Sequence, residues 1–339
     1  MHWMHHLLRL LSPPLLLALT LLSVAGVVCA GTPAAFDPGL SLFTVNVQDL
    51  DIGYRQFAIF ALPGEPLALS VRQPQGAFNA QASSGTLRTL APGRWRWTAP
   101  AQPGHYTLDI LRSDGARLQL EVFVMVPAAR VHHGELNGYH IGHYPSKALD
   151  GLAIYRAPRG FIEVTPELAS VHVSPHFTLG EFLCKQAGGY PKYLVLRRRL
   201  LLKLEALTAY LAARGIPPST IHIMSGYRTP WYNARLGNVP YSRHQWGDAA
   251  DIYIEKARAY ADSGPLPAEG RDDYMDSRVL GRELAQLFRE SGNNELKGGL
   301  GEYGATANHP PFVHVDARGF VARWSAFSAP AATASAGSR

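Results

Sequence analysis

Two histidines and an aspartate stand in segments that could assemble a metal site. His244 precedes Asp251 by seven residues, and His314 lies much later in the chain. Imidazole nitrogens and carboxylate oxygens are ordinary zinc ligands, and three protein ligands leave a fourth position for the water that a catalytic zinc activates. These residue types therefore suit metal-assisted hydrolysis. The spacing alone favours a simple hydrogen bond between His244 and Asp251 across a turn, so spacing does not identify a metal site unaided.

A loop that leads into a strand is the expected support for His244 and Asp251. On a straight helix their spacing would separate them by about 10 Å along the axis, too far to share one ion. Gly247 and the small residues after it predict a turn into a strand that begins at Asp251. In a later strand, alternation places His314 and Asp316 on one face.

The second half of the chain predicts an α+β domain over residues 174–325. Thr178 and Glu181 have the spacing of a helix-capping box. Four leucines at spacings of four, three and four predict a helix with one apolar stripe, which ends at Gly215. The stripe consists of Leu200, Leu204, Leu207 and Leu211. Strands are expected at 221–224, 251–254 and 312–316, and a second helix at 279–288.

The first half predicts an all-β domain over residues 37–127. Short runs rich in Val, Ile, Phe and Tyr recur there and are separated by Pro-Gly turns. This pattern is typical of an antiparallel sandwich, and we expect an immunoglobulin-like one. Trp95 and Trp97 share a strand face, where core packing of at least one is the expected role, ahead of a ligand platform.

Residues 128–173 predict a linker or extension that lies over the second domain, because Gly and Pro interrupt every periodic pattern in it. Its histidines are His132, His133, His140 and His143. Nothing in their spacing orders them into a ligand set, so surface positions are expected.

Residues 1–30 have the form of an export signal, with an uncharged apolar run before a small-residue cleavage site at Ala30. Cleavage is favoured over an uncleaved membrane anchor, and lipid attachment at Cys29 is disfavoured by the residues before it. The mature protein is then periplasmic or secreted, with Cys184 as its single, buried cysteine. Residues 326–339 predict a disordered tail.

The composition favours an anionic partner other than nucleic acid. The 339-residue chain is 47% hydrophobic and carries a formal charge of +6. No block of Lys and Arg concentrates this charge, which argues against nucleic-acid binding. A mild basic excess suits the anionic cell wall.

The segment from Ser242 to Asp251 resembles the zinc D-alanyl-D-alanine peptidase family, which includes D-Ala-D-Ala carboxypeptidases and VanX-type dipeptidases. The family signature is Ser-x-His-x-x-Gly-x-Ala-x-Asp, followed much later by a His on a strand, and every fixed position is met. Segments 174–178, 225–230 and 312–316 further resemble the murein endopeptidase K branch. The similarity covers about 174–324 and implies the Hedgehog/D-Ala-D-Ala peptidase-like fold.

The resemblance implies roles for individual residues. His244, Asp251 and His314 would bind Zn²⁺. Arg228 would point into the site, where its guanidinium could steady an oxyanion or grip a substrate carboxylate. Two further residues, Ser242 and Tyr227, are candidate substrate-binding groups, although Ser242 could simply brace its loop.

The general base is the point at which this chain departs from the family. Other branches place a Glu, Asp or His two or three residues before the last ligand, where this chain has Pro311 and Phe312. Asp316 is the first candidate to replace it, and the alternative role for Asp316 is to orient His314 through a hydrogen bond. His309 and Glu302, expected in the loop before the last strand, rank lower.

Two other residues near the signature invite functional roles that have simpler alternatives. His222 is expected to be a packed or surface residue. Trp246 could stack on substrate or shield the zinc pocket.

Together the resemblance and the ligand set predict a hydrolase of peptidoglycan stem peptides that cuts beside D-amino acids. Cleavage of cross-links by a murein endopeptidase is favoured, with a D-alanyl-D-alanine carboxypeptidase as the alternative. A non-catalytic cell-wall-binding protein is the third reading, supported by the missing upstream base. Membrane contact is expected only if the N-terminal segment stays uncleaved.

Overall fold

The computed structural model describes residues 36–255, 274–290 and 296–327. The predicted signal segment, Cys29 and the tail beyond residue 327 lie outside the described residues. Within the described ranges, no helix has both the length and the apolar character needed to cross a membrane.

Two β-sheets form the N-terminal part. The first has the strand order β2-β1-β4-β7-β6 and the second the order β3-β9-β8-β5. All pairs in them are antiparallel except β3 with β9. The strands are β1 (Leu40–Val47), β2 (Leu50–Tyr54), β3 (Gln56–Ala61), β4 (Pro66–Val71), β5 (Phe78–Ala82), β6 (Thr86–Ala91), β7 (Arg94–Thr98), β8 (Gly104–Arg112) and β9 (Arg117–Val124).

Alternation along the strands builds the core of this part. In β7 the arginines Arg94 and Arg96 are exposed, whereas Trp95 and Trp97 are 2% and 0% exposed. The indole nitrogen of Trp97 is not left unpaired, since it donates to the Ser84 carbonyl at 2.9 Å. The expected core packing of these tryptophans is therefore confirmed, while the immunoglobulin-like topology remains a prediction.

The segment between the two parts is built into the protein core. Strands β10, β13 and β16 form one antiparallel sheet that starts at the end of the sandwich and reaches into the second part. The elements here are β10 (Val126–Pro127), β11 (Glu135–Leu136), β12 (Tyr139–His140), β13 (Gly160–Val164), α1 (Pro166–Ala169), β14 (His172–Ser174), β15 (Phe177–Thr178) and β16 (Lys192–Leu194). Residues expected only to connect domains thus contribute buried side chains such as Phe161 and Ile162. The four histidines of this segment are exposed, as expected.

A five-stranded sheet with the order β17-β18-β20-β19-β21 forms the C-terminal part. The elements are α2 (Arg198–Ala212), β17 (Ile221–Ser225), α3 (Pro230–Arg235), β18 (Ala249–Ile254), α4 (Ser277–Glu290), β19 (Gly299–Tyr303), β20 (Phe312–Asp316) and β21 (Ala322–Ala326). Helix α4 packs against β19 and β20. The leucine stripe of α2 is fully buried, and Cys184 is buried and free, both as expected.

The capping box at Thr178 and Glu181 is present, and it opens a four-residue 3₁₀ turn rather than a longer helix. The Thr178 backbone N–H donates to Glu181 Oε2 at 2.7 Å. Phe182, in that turn, lies close enough to the chain after β17 that a Cβ at Gly226 would come 2.6 Å from its Cα. The turn therefore fixes the backbone from which the site is built.

Candidate metal centre

A single 3₁₀ turn over Arg243–Trp246 carries His244 into the protein interior. Ser242 precedes the turn, and Gly247 ends it in the left-handed conformation at φ 66°. A Cβ on Gly247 would lie 2.0 Å from the Val195 carbonyl oxygen, so only glycine fits there. The chain then enters β18, which confirms the predicted loop into a strand.

Strand register brings the three predicted ligands together. Asp251 on β18 is opposite His314 on β20, and these two strands are adjacent in the sheet. The Oδ1 atom of Asp251 lies 3.0 Å from Nδ1 of His314 and 3.1 Å from Nε2 of His244. The two imidazole nitrogens are 3.1 Å apart. All three residues are buried, at 1%, 3% and 7% exposed for His244, Asp251 and His314.

The far nitrogen of each imidazole fixes which atom faces this cluster. Nδ1 of His244 lies 2.6 Å from the Gly226 carbonyl, which can only accept, so Nδ1 carries the proton. Nε2 of His314 lies 3.1 Å from Asp316 Oδ2 and donates to it. In their neutral forms both rings therefore turn a bare nitrogen toward Asp251. Three lone-pair atoms within 3.1 Å of one another fit a small divalent cation, and among the described residues they form the candidate metal cluster.

The electrostatics of the cluster favour a neutral His244 and an ionised Asp251. Burial lowers the pKa of His244, which keeps it in the neutral form that binds metals. Burial alone would raise the pKa of Asp251, but the neighbouring imidazoles and a guanidinium hold it well below its usual range. The pKa of His314 is raised because the carboxylates of Asp251 and Asp316 outweigh its burial.

Asp316 lies behind His314, on the side of the ring away from the cluster. Its carboxylate accepts from His314, from the Gly299 backbone N–H at 2.8 Å and from Arg318 Nε at 2.9 Å. Despite its burial, these donors and charges lower the pKa of Asp316 far below its usual range. Of the two predicted roles, this geometry favours orienting His314 over accepting a proton.

Arg228 supports the cluster from the other side of Asp251. Its terminal Nη2 makes a short ion pair with Asp251 Oδ2, the oxygen that does not face the histidines. Its Nε donates to Ser225 Oγ at 2.9 Å. The guanidinium thus lies at the site as expected, held by a ligand carboxylate.

Comparison with known proteins shows a family similarity in the segment that carries two of the three cluster residues. Residues 175–262 match the model of the Peptidase M15 family. The match supports the zinc M15 peptidase family. It covers His244 and Asp251, while His314 reaches the same cluster from beyond the matched residues.

Other comparisons are uninformative about this chain. No curated protein matches it. The M1 domain from titin aligns over 20% of this chain and 87% of its own, at 10% identity and a TM-score of 0.16. A score of that size supports no structural argument.

Two residues near the ligand cluster are less accessible than a role in substrate binding requires. Tyr227 is 1% exposed, and its hydroxyl lies 3.0 Å from that of Tyr144. Trp246 is 0% exposed and donates to the Arg156 carbonyl at 3.0 Å. Trp246 therefore packs inside the segment that matches the M15 model, against Tyr155 and Tyr241, which disfavours stacking on substrate. Ser242 is half-buried at the start of the turn that carries His244.

Strand pairing removes Glu302 from the candidates for general base. Glu302 lies in β19 opposite Val313, so it faces away from His314. Its carboxylate lies against α4, where a Cβ on Gly281 would approach Oε1 to 2.2 Å. The prediction for Glu302 was wrong because it placed this residue in a loop. The register of β19 decides the face, and the sequence does not show that register.

His309 contacts a residue of the ligand-bearing strand β20. Its ring lies edge-on to Phe312, 5.0 Å between centroids, and Phe312 shares a strand face with His314. Nδ1 of His309 lies 2.9 Å from the Pro310 carbonyl and donates to it, which leaves Nε2 as an acceptor. His222, by contrast, is half-buried in β17, stacks on Tyr253 and lies 3.4 Å from Glu255, as expected for a packed or surface residue.

Two aromatic residues near His314, Trp324 and Tyr303, were missed by sequence reasoning, whereas Phe312 was expected on its strand face. The rings of Trp324 and His314 lie 5.1 Å apart, and Trp324 Nε1 donates to the Tyr303 hydroxyl at 2.8 Å. Tyr303 in turn stacks on Phe312 at 4.5 Å. Gly301 makes room for this arrangement, since its Cβ would meet the Trp324 indole at 2.2 Å. The parallel pairing of β21 with β19 brings these aromatic rings together beside His314 as an aromatic wall. A single tryptophan near the end of the chain gives little sign of that pairing in the sequence.

Proposed function

We propose that this protein is a zinc-dependent peptidase that cuts peptidoglycan peptides beside D-amino acids, and that cross-link cleavage is its main reaction. The convergence of His244, Asp251 and His314 in a buried cluster carries the proposal, because the first two lie in the segment that matches the Peptidase M15 family. Within that family we place the chain nearest the murein endopeptidase K branch, on the segments that resemble it.

The three ligand residues would hold the zinc ion through His244 Nε2, His314 Nδ1 and an Asp251 oxygen. When bound, zinc would supply Lewis-acid polarisation of the scissile carbonyl and a water nucleophile at neutral pH. Asp316 holds the His314 ring in the orientation that this requires, and the Gly226 carbonyl does the same for His244.

Arg228 is the residue we assign to the substrate. Two of its nitrogens are used by Ser225 and Asp251, whereas Nη1 makes no hydrogen bond to the residues that the structure describes. A guanidinium fixed in this way can donate to the carbonyl oxygen as negative charge develops on it, or to a substrate carboxylate.

His309 is the residue we assign as general base. Its Nδ1–H is held by the Pro310 carbonyl, so the lone pair on Nε2 is free to take a proton from the attacking water. Its position beside Phe312 puts it on the face of the sheet that carries the last ligand. With His309 as base, the lack of a general base two or three residues before His314 no longer favours a purely binding protein.

Export through the N-terminal segment is part of the proposal, because peptidoglycan lies outside the cytoplasm.

The aromatic wall of Tyr303, Phe312 and Trp324 beside His314 suits the apolar surface of a substrate.

Digestion of purified peptidoglycan by residues 31–339, with products read by mass, tests the proposal. Conversion of cross-linked dimers to monomers that stops in chelator and returns with zinc is the expected result. Loss of terminal D-alanine alone would make the protein a carboxypeptidase. A folded, zinc-loaded protein that binds peptidoglycan and releases no product would support the non-catalytic alternative.

A further inference from the structure

A cleft of about 460 Å³ lies between the N-terminal sheets and the M15 segment, away from the ligand cluster. Its walls come from the start of β2, the connection at 153–160, the start of α2 and the turn that carries His244. The charged residues among its lining are the carboxylates Asp49 and Asp248 and six arginines, Arg156, Arg159, Arg197, Arg198, Arg199 and Arg243. Six positive and two negative groups leave a formal excess of +4.

Carboxylates satisfy four of these arginines. Arg243 forms a buried ion pair with Asp248, with Nε 3.0 Å from Oδ1. Arg198 and Arg199 share the single carboxylate of Asp49, at 2.9 and 3.3 Å. Arg159 pairs with Glu65, outside the cleft lining, at 2.9 Å.

Arg156 and Arg197 are left without a carboxylate partner among the described residues. Arg197 Nε donates to the Trp246 carbonyl at 3.2 Å, and no hydrogen bond from the Arg156 side chain to the described residues is present. Both arginines are solvent-exposed, so a ligand can reach them. They therefore carry two of the positive charges that no carboxylate neutralises.

Two guanidinium groups without a carboxylate partner, in a concave and positively charged site, favour an anion. Walls of low dielectric concentrate the positive potential in a cleft, which raises the local concentration of anions. The planar fork of each guanidinium matches two oxygens of a phosphate group, and such charge-assisted pairs are among the stronger hydrogen bonds in proteins.

We propose that this cleft binds a phosphate group, with Arg156 and Arg197 as its direct ligands. The cleft adjoins the turn that carries His244, since Arg243 of that turn lines it. Arg197 already holds the end of the ligand-bearing turn, since its backbone N–H donates to the Gly247 carbonyl at 2.8 Å and its side chain to Trp246. Free phosphate and the phosphodiester of a polymer present the same oxygens, so both are sources of the ligand.

Calorimetric titration of the zinc-loaded protein with sodium phosphate, at constant ionic strength set with sodium chloride, tests the site. Saturable heat of binding is expected. In a separate thermal unfolding experiment, phosphate should raise the melting temperature and chloride alone should not. The double substitution Arg156→Gln/Arg197→Gln should weaken binding at least tenfold. A parallel titration with poly(glycerol phosphate) distinguishes the sources, since tighter binding of the polymer identifies a phosphodiester ligand and binding of phosphate alone a free ion.

The matched control is Arg94→Gln/Arg96→Gln, which removes the same charge from exposed arginines of β7 outside the cleft. It should bind phosphate like the parent. The proposal is overturned if neither phosphate source binds saturably, if the two double variants lose affinity equally, or if a correctly folded Arg156→Gln/Arg197→Gln protein keeps full affinity. That last result would place the phosphate elsewhere, for example on the zinc ion.

Discussion

Asp251 and His314 face each other across adjacent antiparallel strands, with 3.0 Å between Oδ1 and Nδ1. Because both positions are internal to a five-stranded sheet, backbone hydrogen bonds on each side fix their separation. His244 then needs only one tight turn to complete the cluster. A rigid sheet thus supplies two ligands and a short turn the third.

The hydrogen bond from His314 to Asp316 should control zinc affinity. Asp316→Asn removes the charge that holds the ring while keeping a side chain of similar size. We expect a 10–100-fold loss of zinc affinity, the usual cost of removing an outer partner of a ligand histidine. Competition with a fluorescent chelator measures it, and unchanged affinity would show that Asp316 does not position the ligand.

His309 should affect turnover without affecting metal binding. His309→Gln removes the proposed base, and we expect kcat to fall by about 10²–10⁴-fold while the zinc content stays at the parental level. His222→Gln, which changes a half-buried histidine of β17 outside the ligand cluster, is the control and should keep normal kcat. Parental kcat in His309→Gln would rule out the assignment.

Gly247 should be irreplaceable for steric reasons beyond its positive φ. In Gly247→Ala the new Cβ would overlap the Val195 carbonyl, whereas in Gly237→Ala, at a similar φ of 69°, it would meet nothing within 4 Å. Backbone strain should cost about 1–3 kcal/mol in both, and the overlap a further 1–3 kcal/mol or so at Gly247 alone. Urea denaturation of both variants measures the difference, and equal losses would contradict the close approach.

A histidine far from the cluster should make stability depend on pH. His176 Nδ1 lies 2.6 Å from the buried carboxylate of Glu205, and this hydrogen bond raises the pKa of His176 above its unfolded value of 6.5, with Asp37 adding to the effect. A raised folded-state pKa stabilises the protein fully below pH 6.5, and the contribution is lost as pH rises through the folded-state value.

His176→Gln should therefore lower the free energy of unfolding more at pH 5.5 than at pH 9. Urea denaturation at both pH values measures the two losses, and His222→Gln is the control because its partner Glu255 is exposed. Equal losses for His176→Gln at the two pH values would show that the His176–Glu205 pair contributes no pH-dependent stability.

Short-range patterns made much of this structure predictable. The resemblance of Ser242–Asp251 to a family signature identified the ligands that the structure brings together, and the alternation in 312–316 put His314 and Asp316 on one face. The leucine stripe of α2 follows from helical periodicity, which is a local property.

Long-range pairing explains what the sequence could not show. Glu302 and Gly301 are neighbours in β19, and only the register with β20 decides which of them faces His314. Trp324 reaches the cluster through a parallel pairing with β19, and Arg228 reaches Asp251 across a gap of 23 residues. The segment 128–173 contains too many turns for its buried strands to be recognised from periodicity.

The zinc content of the purified protein tests the central claim most directly. Elemental analysis after dialysis against zinc should give one zinc per chain for the parent and for the His222→Gln control. Asp251→Ala and His314→Ala, folded by circular dichroism, should give close to none, because removal of one of three protein ligands leaves too few to hold the ion. Full zinc occupancy in these folded variants, or no zinc in the parent, would contradict a metal centre at His244, Asp251 and His314.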